Sequence, residues 1–128
     1  MPASSSSRSA FELAILAPLY NEEAVVSETL RRLDAVLDSM AQPTEVILVD
    51  DGSSDSTPLL LQQKALADSR YQCVLLSRNF GHTLALSAGM SVIRATEALF
   101  IIDGDLQDPP ELLPTFLQKF REGYDVVY

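Results

Sequence analysis

Apolar residues recur along this chain in two alternating rhythms. Residues 11–17, 44–49, 71–76 and 98–102 are short, nearly continuous apolar runs, the pattern of strands covered on both faces. Between them the spacing becomes helical. Residues 22–40 place Val25, Val26, Leu30, Leu33, Val36 and Leu37 on one face. Residues 58–67 form a second helical segment, with Thr57 at the N-cap and Pro58 at the first helical position. Residues 83–96 form a third, with Gly89 as a close-packing point. Asp108, Pro109, Pro110 and Glu111 have the acid, proline and glutamate of a capping box and open a fourth helix through Phe120, which Gly123 ends. Residues 124–128 begin a fifth strand. The order β-α-β-α-β-α-β-α-β predicts an α/β fold, a parallel sheet with helices on both faces.

Composition narrows the partners. A chain of 128 residues with 47% hydrophobic and 21% charged positions holds one domain with a sizeable core. Its formal net charge of −9 disfavours nucleic-acid phosphate as a partner. Cys73 is the only cysteine, which leaves no disulfide framework and no cysteine-based zinc site; it reads as a small apolar strand residue. Residues 1–10 are small and polar, without the apolar middle of a secretory signal, and read as a disordered tail. No apolar run approaches the roughly 18 residues of a membrane span. The sequence breaks off within a fifth strand and reads as the front part of a longer protein.

The polar residues gather where strands give out. Strand one leads into Pro18-Leu19-Tyr20-Asn21-Glu22-Glu23, strand two into Asp50-Asp51-Gly52-Ser53-Ser54-Asp55. Strand three leads into Ser77-Arg78-Asn79-Phe80-Gly81-His82, strand four into Asp103-Gly104-Asp105-Leu106-Gln107. In a parallel sheet these four loops share one edge, the edge at which open α/β sheets bind ligands. Each loop also has a local explanation, since Asp-Gly pairs make turns and Asn or Asp caps helices. Asp103 and Asp105 point the same way from an extended segment. Like charges about 4 Å apart repel by roughly 4 kcal/mol at an effective dielectric near 20. A divalent cation removes that repulsion.

Familiar phosphate cradles are missing: there is no G-x-G-x-x-G after the first strand and no Walker A. The acidic loops lack the sixth-position glycine of an EF-hand, and no serine nucleophile elbow is present. A receiver-type signalling domain is an alternative of comparable length. It requires a lysine after its last strand, and the only lysines, Lys64 and Lys119, fall in predicted helices.

Four stretches together resemble the GT-A glycosyltransferases of family 2, and within them the polyprenyl-phosphate (undecaprenyl- or dolichol-phosphate) sugar transferases. They are Ala17-Pro-Leu-Tyr-Asn-Glu-Glu23, Glu45-Val-Ile-Leu-Val-Asp-Asp-Gly-Ser-Ser-Asp-Ser-Thr57, Leu76-Ser-Arg-Asn-Phe-Gly-His82 with Ala88-Gly89, and Asp103-Gly-Asp-Leu-Gln-Asp-Pro-Pro-Glu111. They run in the family's order and cover nearly all of the chain after residue 10. The last stretch is the one that points to lipid-phosphate acceptors.

The resemblance implies a Rossmann-like nucleotide-sugar fold, with residues 11–128 as its N-terminal, donor-binding part. It implies that Pro18, Tyr20 and Glu22 line a nucleoside pocket, Glu22 near the ribose. Asp51 would hydrogen-bond the base beside Asp50, and Arg78 and His82 would lie near the donor. Asp103, Asp105 and Gln107 would hold Mg²⁺ or Mn²⁺ against the diphosphate, the two aspartates acting in catalysis through the metal. The implied reaction moves a sugar from a UDP- or GDP-sugar to a polyprenyl phosphate, with inversion. A family 2 enzyme with a polysaccharide or other sugar acceptor is the variant reading. A non-catalytic nucleotide-sugar-binding module is a further one, against which the intact Asp103, Asp105 and Gln107 argue. The resemblance places the acceptor side, any catalytic base and the membrane segments beyond Tyr128, with the whole protein at the cytoplasmic face of the membrane; it is compatible with a homo-oligomer. The 128 residues by themselves are expected to be inactive.

Overall fold

In the computed structural model, residues 10–103 and 109–123 are described. The expected fifth strand at 124–128, the tail before residue 10, and the predicted metal ligands Asp105 and Gln107 with the capping residue Asp108 lie outside them. The strands are β1 (Leu13–Leu19), β2 (Thr44–Asp50), β3 (Tyr71–Leu75) and β4 (Ala98–Ile101). They form one parallel sheet in the order β3-β2-β1-β4. In register, Leu13 stands opposite Thr44 and Ala98, and Val46 opposite Tyr71. The helices are α1 (Val26–Ser39), α2 (Thr57–Ala67), α3 (His82–Met90) and α4 (Leu113–Arg121), with a 3₁₀ turn at Pro110–Leu112 before α4.

The alternation of side chains along each strand divides the core in two. Ile15, Ala17 and Leu19 of β1 and Val46 and Leu48 of β2 pack with Val26, Leu33, Val36 and Leu37 of α1, Leu61 of α2 and Leu113 of α4. Their neighbours Ala14, Leu16, Ile47 and Val49 point to the other face, against Ala85 of α3 and the half-buried Val92 and Ile93. Both faces of β1 and β2 are therefore covered, as the continuous apolar runs predict. Fully burying each Leu, Ile or Val of these strands contributes roughly 1.5–3 kcal/mol. Gly89 is the close-packing point expected. A Cβ there would come within 2.3 Å of Leu16 Cδ1 and 2.7 Å of Val49 Cγ2, so α3 sits on the sheet at a distance only glycine permits.

Several boundaries differ from the expectation, each for a physical reason. β1 begins at Leu13 rather than residue 11 and runs on through Pro18 to Leu19. Proline is tolerated because alternate residues of β1 face opposite neighbours. Leu16 O accepts from Ile102 N on the β4 side and Leu19 O from Asp51 N on the β2 side. Pro18 thus faces the β4 side beyond Leu16–Ile101, the last pair in the β1–β4 register, where its missing N–H leaves no paired strand residue without a donor. α1 begins at Val26, not Glu22, because residues 21–23 are bound sideways to the loop after β2. Thr57 is the first helical residue of α2 rather than its N-cap, and its Oγ1 accepts from Glu22 N at 3.0 Å.

α3 ends at Met90, six residues short of the predicted Thr96. The buried carboxylate of Glu45 accepts from the backbone N–H groups of Arg94 (2.6 Å) and Ala95 (2.7 Å), drawing that segment out of the helix. Asp34 and Asp38, spaced as if to pair with Arg31 and Arg32, do not. Asp34 accepts from Lys64 Nζ and Tyr71 Oη, both at 2.6 Å, and Asp38 pairs with Arg70. Arg31 pairs with Glu28, and Arg32 reaches Glu111 in the 3₁₀ turn.

Candidate active site

At the carboxyl edge of the sheet the four loops enclose a cleft of about 440 Å³ lined by Pro18, Leu19, Tyr20, Glu22, Asp51, Asn79, Gly81, His82, Ala85 and Asp103. Six of the predicted site residues, Pro18, Tyr20, Glu22, Asp51, His82 and Asp103, are thereby brought together. Pro18 and Leu19 come from the end of β1, whose continuation carries Tyr20, 46% exposed, to the cleft wall. His82 is the first residue of α3, and Gly81, His82 and Ala85 make that helix's amino-terminal turn part of the lining. Asp103 follows β4 on the far side.

The structure divides the polar residues of the motifs into two groups. One group binds loop to loop. Asn21, at a left-handed φ of 51°, donates its N–H to Ser53 Oγ (2.9 Å) and accepts from Ser54 N (2.9 Å) at its side-chain oxygen. Glu23 N–H donates to Asp55 (3.3 Å), while the Glu23 carboxylate accepts from Ser56 N (2.9 Å) and Ser56 Oγ (2.6 Å). Partial desolvation acts to raise the Asp55 carboxyl, and hydrogen bonds from Thr57 and the Glu23 N–H outweigh it, leaving it below the usual aspartate range. Asp50 belongs to this group as well. It is 2% exposed, accepts from Ser53 N (3.0 Å) and from the Ser53 hydroxyl, and does not line the cleft. Burial and the neighbouring Asp50 push the Cys73 thiol up to about 11, which suits a packing role.

The second group faces the cleft, and Asp51 is its most constrained member. Only 5% exposed, its carboxylate accepts from Phe80 N (2.8 Å), Gly81 N (3.1 Å) and Asn79 Nδ2 (3.2 Å). The loop after β3 is wrapped tightly over this residue and its neighbour. A Cβ on Gly52, which has φ +72°, would lie 2.1 Å from the Arg78 carbonyl carbon and 2.4 Å from Asn79 N. Arg78 itself is exposed, stacks its guanidinium 4.2 Å from the Phe80 ring centroid, and does not line the cleft. Asn79 and Gly81 line the cleft although their residue types carried no assignment; both lie inside the Ser-Arg-Asn-Phe-Gly-His stretch, which was the available signal.

Of the predicted metal ligands, Asp103 lines the cleft, and its carboxylate is the hard oxygen donor that Mg²⁺ or Mn²⁺ favours. Among the described residues no three His, Cys, Asp or Glu side chains converge as a metal cluster. The two lysines stand on helices away from the cleft, Lys64 paired with Asp34, so the described residues place no lysine at the cleft as a receiver would require.

The sequence matches Glycosyl transferase family 2 over residues 14–128. It is 44% identical over 117 residues to a Bacillus subtilis (strain 168) protein named uncharacterized glycosyltransferase YkcC, covering 91% of this chain and 36% of that protein. It is 41% identical over 116 residues to an undecaprenyl-phosphate 4-deoxy-4-formamido-L-arabinose transferase of Edwardsiella ictaluri (strain 93-146), covering 90% and 35%. The chain thus spans about a third of the length of the curated relatives it matches. Among solved structures, a mannosyltransferase from Pyrobaculum calidifontis in complex with GDP-Man and Mn²⁺ superposes with a TM-score of 0.61 at 25% identity, over 80% of this chain and 33% of that one.

Proposed function

The chain belongs to glycosyl transferase family 2, has its α/β, GT-A-like fold, and from that membership we propose that it forms the donor-binding part of a metal-dependent, inverting glycosyltransferase. The donor is a UDP- or GDP-sugar and the acceptor a polyprenyl phosphate. The observation that carries this reading is the single cleft to which Pro18, Tyr20, Glu22, Asp51, His82 and Asp103 all contribute. The relative named as an undecaprenyl-phosphate transferase supports the lipid acceptor.

The nucleoside lies against Pro18 and Tyr20, the exposed ring offering a stacking surface. Glu22 accepts from the ribose hydroxyls, and Asp51 from an N–H of the base. The diphosphate lies toward His82 and the amino-terminal turn of α3, where backbone N–H groups and the helix dipole favour negative charge. Arg78 reaches the donor by swinging off Phe80. Asp103, with Asp105 and Gln107, would hold Mg²⁺ or Mn²⁺. Bound there, the cation stabilises the charge that grows on the departing nucleoside diphosphate. An oxygen of the lipid phosphate attacks the anomeric carbon from the face opposite the diphosphate. The new C–O bond forms as the bond to the diphosphate breaks, so configuration inverts. The attacking phosphate is already ionised, so the reaction makes little demand for a strong base. Such an acceptor sets the reaction at a membrane surface, although no helix among the described residues is long and apolar enough to cross one.

The test is a transfer assay on the full-length protein with nucleotide-sugars labelled in the sugar and polyprenyl phosphate in detergent. Label moving into the organic-extractable lipid phosphate is expected. Label moving only into a water-soluble sugar or polysaccharide would replace the lipid acceptor with the variant reading, and no transfer with any donor would remove the enzymatic reading.

A further inference from the structure

Among the described residues, the Asp51 carboxylate is held from one side, by the loop after β3. Phe80 N donates to its Oδ1, and Gly81 N and Asn79 Nδ2 donate to its Oδ2. Asn79 Nδ2 also lies 3.2 Å from Asp51 O. Both atoms it meets are acceptors, so the amide nitrogen is necessarily the one turned toward Asp51. A carboxylate has about four acceptor positions, and three are filled, all by the loop after β3. Asp51 nevertheless lines the cleft, beside Asn79 and Gly81. The remaining position, on Oδ1, has its direction fixed by the other three. Among the described residues no other side chain donates to this carboxylate, and the close approach of Gly52 to Arg78 and Asn79 restricts the loop from shifting along it.

Resting on the reading that Asp51 meets the base, we infer that Asn79 is a positioning residue for donor selection. Its amide orients the Asp51 carboxylate so that one lone pair is presented to the cleft as an acceptor. A fixed acceptor there pairs with a base edge that offers an N–H, as the imino groups of uracil and guanine do. It disfavours cytosine and adenine, whose ring nitrogen at the equivalent position is an acceptor rather than an N–H. Asn79 acts through Asp51, without itself having to contact the nucleotide. Its loss should weaken recognition of the base and leave the recognition of phosphate alone.

The test uses the full-length protein with Mn²⁺ and compares calorimetric affinities for UDP, GDP, CDP and ADP with that for inorganic pyrophosphate, which has no base. Three variants are needed: Asn79→Ala, the near-isosteric Asn79→Asp, which replaces the donor with an acceptor, and Asp51→Asn. The expected result is that both Asn79 variants lose about tenfold in affinity for the preferred nucleotide, the worth of one hydrogen bond to a charged group, with pyrophosphate binding unchanged and discrimination among bases reduced. Equal losses for nucleotide and pyrophosphate would assign Asn79 to holding the loop and overturn the inference. So would unchanged base preference in both Asn79 variants while Asp51→Asn loses it, a result that leaves the role of Asp51 standing. Should Asp51→Asn itself leave base preference intact, the base contact fails and the inference with it.

Discussion

The motif residues divide by what their side chains touch. Asn21, Glu23, Ser53, Asp55 and Ser56 hydrogen-bond between or within the loops after β1 and β2, while Tyr20, Glu22, Asp51, His82 and Asp103 line the cleft. Residue types in a row cannot separate these groups, because Asp50 and Asp51 are adjacent acids with opposite fates. Asp50 points to Ser53 and Asp51 to the loop after β3, a choice made by strand alternation and by Gly52 between the loops. Gly52 is the residue on which this arrangement depends. A methyl at Gly52 must occupy the Arg78 and Asn79 backbone and do so at a positive φ. Gly52→Ala is therefore expected to cost about 2 kcal/mol or more of stability, read as a lowered denaturation midpoint, and to weaken nucleotide binding with it. Wild-type stability in that variant would refute the close approach of the two loops.

The four strands among the described residues were legible in the sequence to within two residues because each is a short, mostly apolar run, and the covering helices followed from the alternation. Helix ends were less legible, since distant side chains decide them. Glu45 on β2 ends α3 by binding the N–H groups of Arg94 and Ala95, and Thr57 and Asp55 hold the chain ahead of α1. Neither partner lies near the helix in sequence. The same holds for the bridge between Arg32 on α1 and Glu111 in the turn before α4. Its hydrogen bond from Arg32 lowers the Glu111 carboxyl to about 2. A carboxyl lowered on folding contributes stability above its unfolded value, near 4.3, and loses it as the pH falls toward 2. Glu111→Gln should therefore melt slightly below wild type at pH 7, by no more than about 2 °C for so exposed a pair. The gap should close between about pH 5 and pH 2. A gap constant over that range would show that the ion pair contributes nothing.

On the scale of the whole chain, the loops meet at one edge because a parallel sheet brings every strand's carboxyl end there. A net charge of −9 makes a phosphate-rich ligand costly unless cations accompany it. The proposed donor brings such a group, and the cleft meets it with carboxylates, an α-helix amino terminus and His82. The account therefore turns on whether a nucleoside diphosphate binds here through a divalent ion. Calorimetric titration of the full-length protein with UDP and GDP, with Mn²⁺ and then with excess chelator, tests this most directly, with Asp103→Ala run alongside. Binding of at least one nucleotide with Mn²⁺, lost on chelation and reduced by at least about tenfold in Asp103→Ala, is the predicted result. Binding that is unchanged by both chelator and substitution would contradict it.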